Sequence, residues 1–222
     1  MGATDTMRNM TETAPDAPAD TTPDTASDAE DPTAVPPAPG EEQHPCLALA
    51  NSAIALPGGH LLDALATPAG ADHWLLERGL TPGPAGLQEM CASQLRAMRE
   101  HVRSLLAARA AAHPARPAAL AAVNDALTRV PTAQLLQWDE SGPFRAAPHP
   151  TAAMLDHALA AVAADVADLL TGPDAERLAA CGSPPCNRFL LRQGRRQWCS
   201  TRCGDRARAA RAYARRTQQP TP

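Results

Sequence analysis

Four of the six cysteines in this 222-residue chain fall within twenty-three residues, as Cys181, Cys186, Cys199 and Cys203. Two close pairs with twelve residues between them are the spacing that tetrahedral zinc requires. Each pair offers two thiolates from one tight turn, and the intervening segment returns to close the shell. Four thiolates fill the tetrahedron and leave no position for water or substrate, so the spacing predicts one structural Zn2+ rather than a catalytic one. The other two cysteines, Cys46 and Cys91, stand among apolar residues and read as small core residues. None of the seven histidines has a partner at ligand spacing. No glycine-rich phosphate loop, nucleophile elbow or paired-carboxylate pattern occurs. No catalytic residue, no further cofactor and no enzymatic activity are therefore expected.

Charge is segregated along the chain. All twenty basic residues are arginine, and ten of them lie in residues 181–222 against one acid, Asp205, for a net charge of +9. Residues 1–45 carry ten acids against Arg8, net −9, which hides the asymmetry inside an overall charge of −4. A zinc ion held by four thiolates is a −2 centre, so Arg206 and Arg202 are expected in part to neutralise it. The surplus makes a basic surface of the kind that attracts phosphate. On the helix predicted after Cys203, Arg208, Arg211 and Arg215 share one face, with Arg206 and Arg202 flanking it. These five are the candidate nucleic-acid residues. Cys203, Ala207, Ala210 and Ala214 form a narrow stripe expected to pack on a hairpin beside Phe189 and Trp198.

That hairpin is predicted from Phe189–Leu191 and Arg195–Trp198, turning at Gln193-Gly194. Pro184-Pro185 should stiffen the first cysteine turn, and Ser200 is a good N-cap for the helix. Knuckle, hairpin and helix together make a treble-clef-like module. Upstream, Leu87, Cys91, Leu95, Met98, Val102 and Leu105 recur at helical steps as far as about Ala112. A second helix is predicted over Ala118–Arg129, with Leu120, Val123 and Leu127 on one face and Pro131 as its stop. A third runs from a Thr151 cap through Met154, Val162 and Leu169 to the Gly172-Pro173 stop. A shorter helix is expected around Asp72–Arg78, and Cys46–Ser52 reads as strand or helical turn. Gln134–Trp138 and Phe144–Ala147 read as a β-hairpin. With only 3% aromatic residues, the core must be closely packed Leu, Val, Met and Ala, which favours helix on helix.

The expected fold class is α+β, mainly α. Residues 1–44 should be a disordered acidic tail, 45–175 a mainly helical domain, 176–217 the zinc module with its basic helix, and 218–222 a disordered end. The tail reads as solvated; an acidic mimic folding back on the basic end is the other reading. No stretch approaches the roughly eighteen apolar residues that span a bilayer, and no signal-peptide pattern opens the chain. A soluble cytoplasmic protein with no membrane partner is expected.

Trp198-Cys199-Ser200 followed by Cys203-Gly204-Asp205-Arg206-Ala207-Arg208 resembles the CGNR zinc finger, named for its Cys-Gly-Asn-Arg signature. In that family the finger follows an ABATE domain, described as a putative stress-induced transcription regulator. Leu49-Ala50-Asn51-Ser52 is similar to the Asn-Thr motif near that domain's start, and the helix over residues 87–106 and Ala122-Val123-Asn124 also fit. Asp205 replaces the signature Asn, and Leu191-Arg192-Gln193-Gly194 replaces an Asp-x-Ser-Arg-Asn segment. The resemblance implies a DNA-binding transcription regulator, its zinc module on DNA through the basic helix and its N-terminal domain serving for homodimerisation or for a small-molecule or protein signal. The alternative is a zinc-stabilised protein-interaction module binding an acidic partner.

Overall fold

The computed structural model describes residues 35–130, 135–146 and 154–217. In order these form α1 (Pro45–Ala50), β1 (Ala53–Ala55), β2 (Leu61–Asp63), α2 (Pro68–Glu77), α3 (Glu89–Ala110), α4 (Pro117–Arg129), β3 (Leu135–Asp139), β4 (Gly142–Ala146), α5 (Met154–Thr171), β5 (Leu178–Ala180), β6 (Phe189–Leu191) and α6 (Thr201–Thr217). The expected mainly helical α+β architecture is the observed one. The Thr151 cap, the Pro131 stop and the two chain ends lie outside the described residues.

The core is where α3, α4 and α5 pack together with α1. On α3, Ala92, Leu95, Met98, Val102, Leu105 and Leu106 recur at helical steps and are all buried. Cys91 sits at the margin of that stripe, half-buried rather than in it. The buried face of α4 is Ala119, Val123 and Ala126, with Leu120 left 48% exposed. Alanine, being small, lets α4 lie close against its neighbours, which turns the expected leucine outward. At the end of α5, Gly172 is extended, with φ of −84°. Glycine is needed there for space: a Cβ would stand 2.5 Å from the Asp168 carbonyl oxygen.

Short α1 is held by side chains of other elements. An Asp165 carboxylate oxygen accepts from the Cys46 amide at 2.8 Å, which satisfies a helix N-terminal donor. Its other oxygen bonds His44 Nδ1 at 2.8 Å. Residues β1 and β2 pair antiparallel, Ala53 opposite Asp63. Helix α2 starts earlier than expected because Thr67 caps it, Oγ1 accepting from the Gly70 amide at 3.1 Å, with Pro68 at the first helical position. Strands β3 and β4 form the expected hairpin, Gln137 opposite Phe144, with Leu136, Trp138 and Phe144 exposed.

Two expectations are corrected. Strand β6 pairs with β5, Ala179 opposite Leu190, and not with residues 195–198, which form no strand. Leu178, Phe189 and Leu191 join the helical core, so β5 brings apolar surface that Arg195-Arg196 could not. The other edge of β6 is also taken, since the Leu191 amide donates to the Pro39 carbonyl at 2.8 Å. Second, the tail does not run to residue 44. From Pro36 onward the described residues belong to one compact unit, with Ala38 and Glu41 buried. Among the described residues no helix is long and apolar enough to cross a membrane.

Arg99 fastens the β1–β2 hairpin to α3. Its guanidinium grips Asp63 through both carboxylate oxygens, at 2.6 and 3.0 Å, and reaches Ser52 Oγ at 3.1 Å. Burial alone would raise the Asp63 pKa, but the Arg99 hydrogen bonds outweigh it and hold the carboxyl below the usual range. A depressed carboxyl stabilises the fold above its unfolded pKa of about 3.9 and loses that contribution as pH falls through the lower folded value. Asp63→Asn should cost about 3 kcal/mol near neutrality, because it leaves buried Arg99 only the exposed Glu100 carboxylate, at 3.3 Å, as counter-charge. Urea melts of wild type and variant should converge as the pH drops below about 4. An unchanged gap at acid pH would count against this pair as its source.

Candidate metal centre

Each cysteine reaches the centre from a different local device. Cys181 follows β5 directly, and its amide donates to the Arg188 carbonyl at 2.8 Å. Cys186 closes the knuckle, its amide donating to the Ser183 carbonyl at 2.9 Å. Cys199 leads into α6, and Cys203 lies in the first turn, where Ser200 Oγ accepts from the Cys203 amide at 3.2 Å. Ser200 is thus the N-cap its residue type suggested. The four Sγ atoms all lie within 4.8 Å of one another, with Cys186 to Cys199 at 3.6 Å and Cys199 to Cys203 at 3.5 Å. Zinc–sulfur bonds of about 2.3 Å in a tetrahedron place sulfurs about 3.8 Å apart, so the four thiolates fit the ion.

The cluster's own electrostatics call for a cation. Hydrogen bonds from Cys186 and Cys199 lower the Cys181 pKa, while sharing protons with Cys181 raises Cys186 and Cys199. A zinc ion deprotonates a coordinating thiol outright, so all four would stand around it as thiolates. Two arginines answer the −2 charge that results. Arg206 Nη2 donates to Cys203 Sγ at 3.2 Å and Arg188 Nη1 approaches Cys199 Sγ at 4.0 Å. The Cys199 amide adds an N–H to Cys181 Sγ at 3.5 Å.

Arg188 is only 2% exposed and its other terminal nitrogen donates to Glu41 Oε1 at 2.7 Å. The same Glu41 oxygen accepts from Asn51 Nδ2 at 2.6 Å. Asn51 also clasps the β6 backbone, donating to the Phe189 carbonyl at 2.8 Å and accepting from the Phe189 amide at 2.7 Å. A continuous polar chain thus runs from α1 through Glu41 and Arg188 to a cysteine ligand. On the flank, Arg103 of α3 donates to the Asn187 carbonyl at 2.9 Å and stacks 5.4 Å over the Phe189 ring.

Residues 43–173 match the sequence model of ABATE, described as a putative stress-induced transcription regulator, and residues 177–216 match that of the CGNR zinc finger. The chain belongs to the ABATE family and carries a CGNR finger. No curated protein matches it.

Within the CGNR finger every signature position has a task. Cys203 is a ligand. Gly204 gives room to Trp198, whose ring would lie 3.2 Å from an added Cβ. Asp205, in place of the signature Asn, pairs with Arg208. Arg206 turns inward, bonding the carbonyls of Pro184 at 3.0 Å and Ser183 at 3.1 Å besides the thiolate. It thus meets a cysteine of the centre, as its expected part in neutralising the thiolates requires. Arg208 and Arg211 stack on Trp198 at 5.8 and 5.5 Å, while Arg215 and Arg202 are exposed. The alanine stripe is not buried as expected. Ala210 and Ala214 are exposed; Trp198 meets the start of α6 at Gly204, and residues 195–198, all among the described ones, form no strand to lie beside the rest.

Sequence reasoning missed Glu41 and Arg188, which no local pattern marks. Asn51 stood in a quoted motif, but its grip on β6 spans 138 residues.

The ABATE chain should purify with one zinc, and Cys186→Ser should lose it and unfold the finger, since apparent zinc affinity of order 10 kcal/mol is folding energy here. Elemental analysis without added metal decides this; below about half an equivalent in wild type, the structural role fails. Glu41→Ala should cost about 3 kcal/mol by stranding Arg188, and Arg188→Met in the same chain should restore part of it. Thermal melts with zinc content checked in each variant would show whether the rescue occurs.

Proposed function

We propose that this protein is a zinc-stabilised DNA-binding regulator that acts in the cytoplasm through α6, and that it catalyses no reaction. The observation that carries the reading is the exposure of α6. Only Cys203 and Gly204 of its seventeen residues are buried, and Arg208, Arg211, Arg215 and Arg216 are exposed. A helix polar nearly all round gains little from its own protein, so its arginines are kept for something outside it. Trp198 limits the rotamers of Arg208 and Arg211 by stacking, which lowers the entropy lost on meeting a phosphate. A groove of about 300 Å³ between the knuckle and α6, lined by Ser183, Gln197, Ala207 and Arg211 among others, lies beside that face.

Signal reception or self-association falls to the ABATE domain. A cleft of about 530 Å³ opens between α3 and Phe189, with Arg103, Ser104, His113 and Arg116 in its wall. It touches the finger and the helical domain together, as a site that couples a signal to α6 would have to. An acidic protein partner is the competing occupant of α6, favoured by the same arginines but by nothing that selects protein over DNA.

Each phosphate neutralised contributes about −0.9 to the slope of log affinity against log salt. Replacing Arg208, Arg211 and Arg215 by alanine should flatten that slope by roughly two to three units without loss of zinc. Asp205→Asn should act in the opposite sense, since it releases Arg208 from an exposed pair worth about 0.2–1 kcal/mol, up to fivefold in affinity. Salt titrations on duplex DNA measure both. Equal slopes in wild type and triple variant would move the interface elsewhere, and absence of binding at low salt would turn the reading towards a protein partner.

A further inference from the structure

Helix α3 carries four arginines, Arg96, Arg99, Arg103 and Arg109. Three have carboxylates: Arg96 pairs with Glu89, Arg99 with Asp63 and Arg109 with Glu176. Arg103 is different. Its Nη1 donates to the Ala50 carbonyl at 2.5 Å and its Nη2 to the Asn187 carbonyl at 2.9 Å, and among the described residues it has no carboxylate at ion-pair distance. Two bonds to neutral oxygens leave over three of a guanidinium's five N–H groups, and the charge stays unmatched. Burial lowers the Arg103 pKa, and the Glu100 charge nearby does not undo the shift. A cation held partly out of water is costly until an anion comes to it.

Arg103 opens on the cleft of about 530 Å³ beside Phe189, a size within the range of small-molecule sites. Ser104 adds a half-buried hydroxyl, and His113 and Arg116 stand exposed in the same wall. The turn that brings them there runs through Ala112 at φ of +54°, uncommon for a residue with a side chain. It is closed by the His113 amide on the Ala108 carbonyl at 2.8 Å. The rest of the wall is apolar, from Ala107, Ala108, Ala111 and Pro114 to the Phe189 ring. Arg103 lies over that ring at 5.4 Å, so charge and apolar surface adjoin. Glu100 is the single acid of the lining, and Arg99 Nε shares it at 3.3 Å. Two guanidiniums against one carboxylate favour a negative occupant, while Glu100 disfavours one with several charges. A lone carboxylate suits an arginine fork, both of its oxygens accepting.

We propose that this cleft binds a small organic carboxylate, its head on Arg103, Ser104 and Arg116 and its apolar body against the alanine wall and Phe189. The inference deepens the regulator reading and rests on it for what the site is used for, but the binding itself needs no DNA. The Asn187 carbonyl that Arg103 holds belongs to the residue after the ligand Cys186. An occupant drawing on the same guanidinium therefore acts one hydrogen bond away from the zinc knuckle.

The test is calorimetric titration of the zinc-loaded full chain with benzoate and with hexanoate. Benzyl alcohol lacks the charge, benzylamine reverses it, and acetate lacks the body. At least one of the two carboxylates should saturate in the millimolar range or below and bind about tenfold more tightly than each control. Arg103→Gln also removes two structural hydrogen bonds, so Arg116→Ala and Ala107→Trp carry the argument, with melting and zinc content checked in both. Arg116→Ala should weaken the carboxylate about fivefold or more and leave benzyl alcohol unchanged, a selectivity that a merely loosened fold would not produce. Ala107→Trp, which fills the cleft, should weaken both. Neither carboxylate saturating, equal affinity for the alcohol, tighter binding of the amine, or affinity untouched by both variants would overturn the proposal. Duplex binding with and without the saturating carboxylate separates site from use. A changed affinity supports both, whereas an unchanged one beside carboxylate binding supports the site and overturns its role as an input to α6.

Discussion

A guanidinium buried as deeply as Arg188 needs a carboxylate, and much of the architecture follows from supplying one. Taking an arginine out of water costs several kcal/mol unless its charge and donors are met. Here the thiolate of Cys199 meets it on one side and Glu41 on the other. Glu41 can be there only if the chain before α1 folds back along β6. That in turn places Asn51 where it reaches both Glu41 and Phe189. Metal, strap and helical domain are thus joined by one desolvated polar chain, in which each member would be costly without the next.

Arginine does elsewhere in this protein what larger apolar side chains do in others. With few aromatic residues to fill its joints, α3 uses Arg96 on the Leu65 carbonyl at 2.9 Å, Arg99 on Asp63, and Arg103 on the Ala50 and Asn187 carbonyls. Half of the chain's arginines lie outside the last fifth, and Arg96, Arg99 and Arg103 of α3 act as internal fasteners.

The parts of this fold that were legible beforehand are those written locally. Cysteine spacing, the stripe on α3, the β3–β4 turn and the Ser200 cap each depend on residues within a few positions of one another. What stayed hidden depends on sequence-distant partners. Nothing near Phe189 announces that its strand pairs backwards with Leu178–Ala180. Glu41 looks like one more acid in an acidic tail, although Arg188 lies 147 residues away. The alanine-rich composition also misled in a systematic way. Where Ala and Leu both lie near a helix face, close packing can bury the alanine and expose the leucine, as at Ala119 and Leu120. On α6 an alanine stripe signals no packing at all, because alanine is as ready to sit in water as to be covered. The basic end was visible as charge, and Arg206 could be named beforehand as a partner of the thiolates, but the burial of Arg188 could not, since it depends on distant Glu41.

The clasp of Asn51 on β6 touches main-chain atoms alone. An amide side chain that reads an N–H and a C=O is indifferent to the residue that carries them. At this clasp the join between helical platform and finger is therefore blind to finger sequence, although Leu178, Phe189 and Leu191 enter the helical core through their side chains. Substitutions on the outer turns of α6 can accumulate without loosening the attachment. Recognition could diverge rapidly in such proteins while their assembly stayed constant, much as a tool holder accepts successive bits of one shank.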